Sequence, residues 1–165
     1  SALSLRMVPI GTTLRRFERV VRDVGVDLDK EVNLVVTGGD AEMDKALVER
    51  IGDPLLHLVR NALDHGIEPR GERALLGKAP RGTLRLNAYH DAGCIVIEVA
   101  DDGVGLGPDR VTEAESAGHF GVKGMTERMQ KIGGVLRFDS TPGSGTRVVM
   151  TASTRGLVEA VGAVR

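Results

Sequence analysis

Residues 57–66 read HLVRNALDHG. On a helix, Leu58, Val59, Ala62 and Leu63 fall on one side, and His57, Arg60, Asn61, Asp64 and His65 on the other. His57, Asn61 and His65 follow one another at intervals of four and stack along one line, with Asp64 beside them. An amide, a carboxylate and two imidazoles are groups that hold ions and phosphates. No HExxH pattern or cysteine pair accompanies them, so zinc is a poor fit. A second stretch, DDGVG at 101–105, follows an apolar run. There a strand-end carboxylate, Asp101, could accept from an exocyclic amine, and Gly103 and Gly105 would let a flat ligand sit close. In GHFGVKGM, Gly118, Gly121 and Gly124 recur every three residues into a helix start and could aim N–H groups at phosphates, with Lys123 adding a charge. The fourth stretch, PGSGT at 142–146, is a hairpin turn whose Thr146 could also reach a ligand. Each has an ordinary reading as well: a solvated helix face, an acidic surface turn, a flexible loop and a plain hairpin.

The elements that must carry these residues can be read from hydrophobic period and turn chemistry. TTLRRFERVVRDVG (12–25) repeats apolar residues at helical spacing, with Thr12 or Thr13 as cap and Gly25 as stop. VNLVVTG (32–38) is β-rich. A helix is predicted from about Lys45 to His65, with a kink or restart at Gly52-Asp53-Pro54. EPRGERALLGK reads as a short polar segment of one or two turns. GTLRLNAYH (82–90) alternates Leu84, Leu86 and Ala88 against Arg85, Asn87 and Tyr89, and pairs through DAG with GCIVIEVA (93–100) as a hairpin. A helix over 122–134 closes on Gly-Gly, and VLRFDST and TRVVMTAS form a second hairpin. Helices that do not alternate one by one with strands imply an α+β two-layer sandwich, a mixed β-sheet with helices on one face.

Composition narrows the function classes. The 165 residues are one ordinary domain, with an aliphatic core because there are three Phe, one Tyr and no Trp. A net charge of −1 gives no field that favours nucleic acid or an acidic membrane. No apolar run approaches a membrane span, and no signal peptide is seen, so a cytoplasmic location is expected. Cys94, the only cysteine, reads as a buried thiol and leaves no disulfide within the chain. The opening SALSL looks like the edge of a larger protein.

In order and spacing the four stretches together resemble the nucleotide-binding boxes of the histidine kinase ATPase superfamily, the Bergerat fold shared with Hsp90, gyrase and MutL. HLVRNALDHG resembles the N box, and DDGVG, GHFGVKG and GSGT the three glycine boxes. LRMVPI, EMDKALVERIGDPLLHLVRNALDHGIEP and GTLRLNAYHDAGCIVIEVADDGVGL are similar to the chemotaxis kinase (CheA) group. From Ala117 onward the chain is more similar to sensor kinases of the NarX and DesK type, with a short lid of about a dozen residues between Leu106 and Gly118. The resemblance covers roughly residues 5 to 153, within a catalytic domain at 1–153 followed by a tail at 154–165.

It implies ATP and Mg²⁺ as cofactors, with Asn61 on the metal and Asp101 receiving the adenine amino group. Gly103 and Gly105 would give the base room, Gly121 and Gly124 would shape the phosphate lid, and Thr146 would support the adenine side. Asp64, His65 and Lys123 would lie against the nucleotide, the last two as phosphate contacts. His57 stands where many members carry a Glu, and the CheA group a His; with Asn61 it forms the implied catalytic pair. The implied activity is transfer of the ATP γ-phosphate to a histidine on a phosphotransfer or dimerisation domain, in cis or in trans, with a response regulator downstream. Nucleic acid binding and direct membrane insertion are not expected. A nucleotide-binding regulatory module without phosphotransfer is the alternative; a gyrase-type clamp has no room for its transducer domain.

Overall fold

The computed structural model describes residues 6–105 and 122–153, with side chains of the second segment described from residue 126. Two strands open the chain's packing order: β1 (Met7–Pro9) and, after helix α1 (Gly11–Asp27) and strand β2 (Val32–Thr37), β3 (Glu42–Asp44). β1 and β3 pair antiparallel as a small two-stranded sheet, with Val8 opposite Met43. Helix α2 (Lys45–Asn61) runs directly into a π-helical turn, Ala62–Gly66, and short helix α3 (Arg70–Leu75) follows. The remainder is β4 (Gly82–Asp91), β5 (Cys94–Asp101), α4 (Val122–Lys131), β6 (Gly134–Thr141) and β7 (Gly145–Ser153).

The main sheet has the order β2-β4-β5-β7-β6. Only the β2–β4 pair is parallel; the other three pairs are antiparallel, two of them hairpins. The mixed two-layer sandwich read from the sequence is therefore the architecture present. Strand alternation builds its floor. Val36, Leu86, Val99, Val148 and Phe138 lie in register across all five strands, and all five belong to or pack against one core. Leu14, Phe17 and Val21 of α1 and Leu47, Ile51, Leu55, Leu58 and Val59 of α2 cover that floor. The apolar stripe of each helix thus meets the period-two face of the sheet.

Several local expectations are revised. α1 is capped by neither threonine: Ile10 precedes its first turn without a side-chain cap, and the helix passes through the buried Gly25 to Asp27. A Cβ at Gly25 would lie 2.8 Å from the Lys30 carbonyl oxygen, so this glycine marks a close approach and not a stop. α2 neither breaks nor restarts at Pro54; it is one helix, begun by Asp44, whose side chain accepts from the Ala46 N–H at 3.3 Å. Cys94 is only half-buried, because it sits at the first position of β5, beside the Ala92–Gly93 turn. Both turn residues have positive φ, the requirement of a two-residue hairpin connection. The short polar segment that begins at residue 68 holds two buried charges, Glu68 and Arg73.

Candidate nucleotide site

Asp101 ends β5 on the inward side. It continues the series Ile95, Ile97, Val99, so its carboxylate faces the helical layer instead of solvent. Its Oδ1 accepts the Gly103 N–H at 2.9 Å, and the backbone N–H of Thr146 also donates to the carboxylate. Burial pushes the group up to about 6; those two N–H bonds oppose the rise, and the nearby charges of Asp102 and Glu68 add to it.

Three of the four sequence stretches meet around this carboxylate. Val104 N–H donates to the Gly66 carbonyl at 2.9 Å, and Gly143 N–H donates to the Val104 carbonyl at 2.6 Å. The π-turn, the 102–105 loop and the β6–β7 hairpin are thus stitched edge to edge by backbone. Glycines permit the approach. A Cβ on Gly103 would lie 1.9 Å from Gly66 O, one on Gly105 2.0 Å from Thr141 O, and one on Gly145 1.9 Å from Asp101 O. Gly66, within the quoted motif but not singled out from it, is a further member: its Cβ would fall 2.8 Å from Asp101 Oδ2. Thr146 contributes chiefly its backbone, since its hydroxyl lies 2.9 Å from Ser140 Oγ across the hairpin.

The polar helix face is present, with one change. Leu58, Val59, Ala62 and Leu63 are buried, His57, Asp64 and His65 exposed, and Asn61 half-buried. The α-helix widens after Asn61, where Ile67 N–H reaches back five residues to the Ala62 carbonyl at 2.8 Å. The extra residue carries His65 off the straight line through His57 and Asn61. His65 Nε2 lies 3.3 Å from the Asp64 carboxylate. Lys30 holds the turn from outside, donating to the carbonyls of Leu63 at 2.7 Å and Asp64 at 2.9 Å. Burial lowers the Lys30 ammonium from its ordinary value, while Asp64, Glu72 and Glu68 work against that shift.

Gly121 lies outside the described residues, as do Gly118 and the tail at 154–165. Lys123 and Gly124 fall in the first turn of α4, where the backbone alone is described.

An anchor not legible in the sequence sits beneath the 102–105 loop. Arg73 Nη1 bonds Glu68 Oε1 at 2.9 Å, and Arg73 Nη2 bonds Asp102 Oδ2 at 3.0 Å. Lys78 Nζ donates to Glu68 Oε2 at 2.6 Å and to the carbonyls of Asp102 at 3.0 Å and Gly103 at 2.9 Å. Asp102 Oδ1 also accepts the Thr83 N–H at 2.9 Å.

A sequence profile described as "Histidine kinase-, DNA gyrase B-, and HSP90-like ATPase" matches residues 49–155. The chain belongs to that family and is a histidine-kinase-type ATP-binding domain within it. It is 50% identical over 128 residues to the chemotaxis protein CheA of Treponema pallidum, covering 76% of this chain and 16% of that protein. It is 38% identical over 162 residues to the sensor histidine kinase CheAY of Helicobacter pylori, covering 95% of this chain and 20% of that one. The chain therefore spans no more than about a fifth of the length of these relatives. In fold it is similar to the histidine kinase domain of the blue-light activated kinase EL346 of Erythrobacter litoralis, with a TM-score of 0.71 at 20% identity over 98% of this chain and 69% of that one. It is also similar to the catalytic domain of histidine kinase ThkA, with a TM-score of 0.68 at 12% identity over 92% and 96% of the two chains.

Proposed function

We propose that this chain is the ATP-binding catalytic unit of a CheA-like protein-histidine kinase, which passes the ATP γ-phosphoryl group to a histidine on another domain or protein. The observation that carries the reading is the inward-facing Asp101 carboxylate at the junction of three backbone-stitched motifs. It already accepts two backbone N–H bonds, and a carboxylate has acceptor capacity for more, enough for the adenine amino group. Gly66, Gly103 and Gly145 keep side chains away from that point.

Asn61 supplies one hard amide oxygen on the helix face. Among the described residues no cluster of three His, Cys, Asp or Glu could hold a metal unaided. That donor set fits Mg²⁺, an ion held largely by substrate phosphates and water with one or two protein oxygens. Mg²⁺, when bound, would neutralise charge on the phosphates. The chain's own residues would do the positioning: Asp101 and the Thr146 backbone would orient the base, and His65 and the N–H groups in the first turn of α4, which carries Lys123, would serve the phosphates. His57, one turn before Asn61, would take the proton of the incoming histidine. The phosphoacceptor would be a histidine-containing phosphotransfer or dimerisation domain, with a response regulator after it. No helix among the described residues is long and apolar enough to cross a membrane.

The test is calorimetric titration with Mg·ATP followed by incubation with a histidine-bearing acceptor domain encoded nearby. Saturable binding and acid-labile label on the acceptor are expected. Binding without transfer to any acceptor would replace the kinase reading with a regulatory nucleotide-binding module.

A further inference from the structure

The peptide group between Asp102 and Gly103 is gripped at both ends. Its N–H donates to Asp101 Oδ1 at 2.9 Å, and its carbonyl accepts from Lys78 Nζ at 3.0 Å. The next peptide is treated alike: Lys78 Nζ takes the Gly103 carbonyl at 2.9 Å, while the Val104 N–H goes to Gly66 O at 2.9 Å. An ammonium has three donors, and the third goes to Glu68 Oε2 at 2.6 Å. Glu68 is fully buried as a side chain and is shared with the buried Arg73, which also fixes the Asp102 carboxylate. Arg73 is itself tied to the Ala79 carbonyl at 2.6 Å, next in sequence to Lys78.

A buried ion cluster of this kind is a poor source of stability, since desolvation offsets most of its Coulomb gain. What it supplies is direction. A cation on a peptide carbonyl polarises the peptide and strengthens the bond made by its own N–H. Here that N–H is one of the two that hold Asp101.

We infer that Lys78, seated by Glu68 and Arg73, is a positioning residue for the adenine-reading carboxylate, and so sets the chain's preference for a base with an exocyclic amine. This rests on the proposed role of Asp101. Lys78 acts through the Asp102–Gly103 peptide, since its three donors go to Glu68 and to the carbonyls of Asp102 and Gly103.

The experiment compares ATP with purine riboside 5′-triphosphate, which lacks the 6-amino group, by calorimetry on the full 165-residue chain. The parent should prefer ATP. Lys78→Met should weaken ATP roughly tenfold, the scale of one charged hydrogen bond, and change the analogue by less than about twofold, so that the preference collapses; Lys78→Arg should restore part of it. The Gly103 amide proton resonance should move in Lys78→Met and return toward its parental position in Lys78→Arg. A lowered melting temperature with the parental preference intact would make Lys78 a purely structural residue and overturn the inference. Asp101→Asn separates the two ideas. If it abolishes the preference while Lys78→Met does not, the adenine reading stands and the Lys78 inference falls. If the parent shows no preference, the adenine reading itself fails and this inference with it. Should Lys78→Met not fold, Lys78→Gln is judged by the same ratio.

Discussion

A methyl group on Gly103 would lie 1.9 Å from the carbonyl oxygen of Gly66. This approach is what lets the Val104 N–H bond Gly66 and closes the loop after β5 onto the π-turn that follows α2. Gly103→Ala must push the two segments apart and swing Asp101 with them. ATP binding is expected to fall by at least about 2 kcal/mol, with stability down by roughly 1–3 kcal/mol, the range of overpacking. Gly52→Ala is the control, because nothing lies within 4 Å of its Cβ and it sits inside α2. It should leave binding alone and raise stability by up to about 1 kcal/mol. Calorimetry and urea unfolding on both variants check the contrast, and equal effects would remove the steric argument.

Asp101→Asn has opposite effects on binding and on the pH dependence of stability. Binding is expected to weaken by about 1–3 kcal/mol, the cost of an unpaired donor or acceptor in the closed site. Unchanged affinity would place the adenine site elsewhere. The folded carboxyl sits near 6 because of burial, against roughly 3.9 in the unfolded chain. Below about pH 4 both states hold the proton. Between about 4 and 6 the folded state holds more protons, so this group's contribution to stability is lost as pH rises, and above about 6 the loss is complete. Asp101→Asn lacks that loss. Its stability relative to the parent should climb by roughly 1–3 kcal/mol from pH 4 to pH 6 and then level. Urea unfolding curves at pH 4, 5, 6 and 7 decide it; a difference that does not vary with pH excludes the shift.

Lys30 closes two carbonyls, those of Leu63 and Asp64, in the π-turn that ends the helical run after α2. Lys30→Met keeps the stem and removes both bonds. About 1–3 kcal/mol of stability should go, with hydrogen exchange at Ile67, whose amide closes the turn, accelerating more than exchange in β4. Uniform acceleration would mean the ammonium supports the fold at large and not the turn.

Most of the sheet was legible because its strands obey period two with few exceptions. Leu84, Leu86 and Ala88 against Arg85, Asn87 and Tyr89 gave β4 its inner face directly. The same parity in β5, carried two residues past Val99, also points Asp101 inward. β1 and β3 have three residues each, too few for any period to show, and their pairing depends on contacts across more than thirty positions of sequence. The π-turn has no composition signal, because ALDHG suits an ordinary last turn equally well. The cluster of Glu68, Arg73, Lys78 and Asp102 was hidden for a different reason. Charged residues in a Gly- and Pro-rich stretch read as solvated surface, and only the folded chain shows that the stretch covers a loop far away in sequence. Cys94 was misplaced because its apolar neighbours say nothing about its position at the hairpin mouth.

Asn61→Ala tests the metal. Asn61 ends α2 on the half-buried edge of the polar face, just before the turn widens. In the proposed reading the adenine end rests on Asp101 and not on Asn61, so nucleotide should still bind. What should fall is the gain in affinity that Mg²⁺ gives, because the metal would lose its one protein amide and rest on phosphate and water alone. Overlaid Mg²⁺ titrations of parent and variant would end the metal assignment.

The last prediction concerns the acceptor. The chain has four histidines, and His57 and His65 belong to the candidate site. His90 lies near the end of β4, exposed and paired in register with Ile95 of β5. His119 lies outside the described residues. A histidine that receives a phosphoryl group must approach the nucleotide in line with the leaving oxygen. His90 is held on a strand whose opposite end, at Leu84, is the one in register with Asp101. Six residue steps at roughly 3.3 Å each would put about 20 Å between His90 and the row of Asp101. Incubated alone with Mg·ATP, the chain is therefore expected to bind nucleotide and gain no acid-labile phosphate. Stable labelling at His57, His65, His90 or His119, located by mass spectrometry, would show that the acceptor is in this chain and would overturn the need for a separate domain.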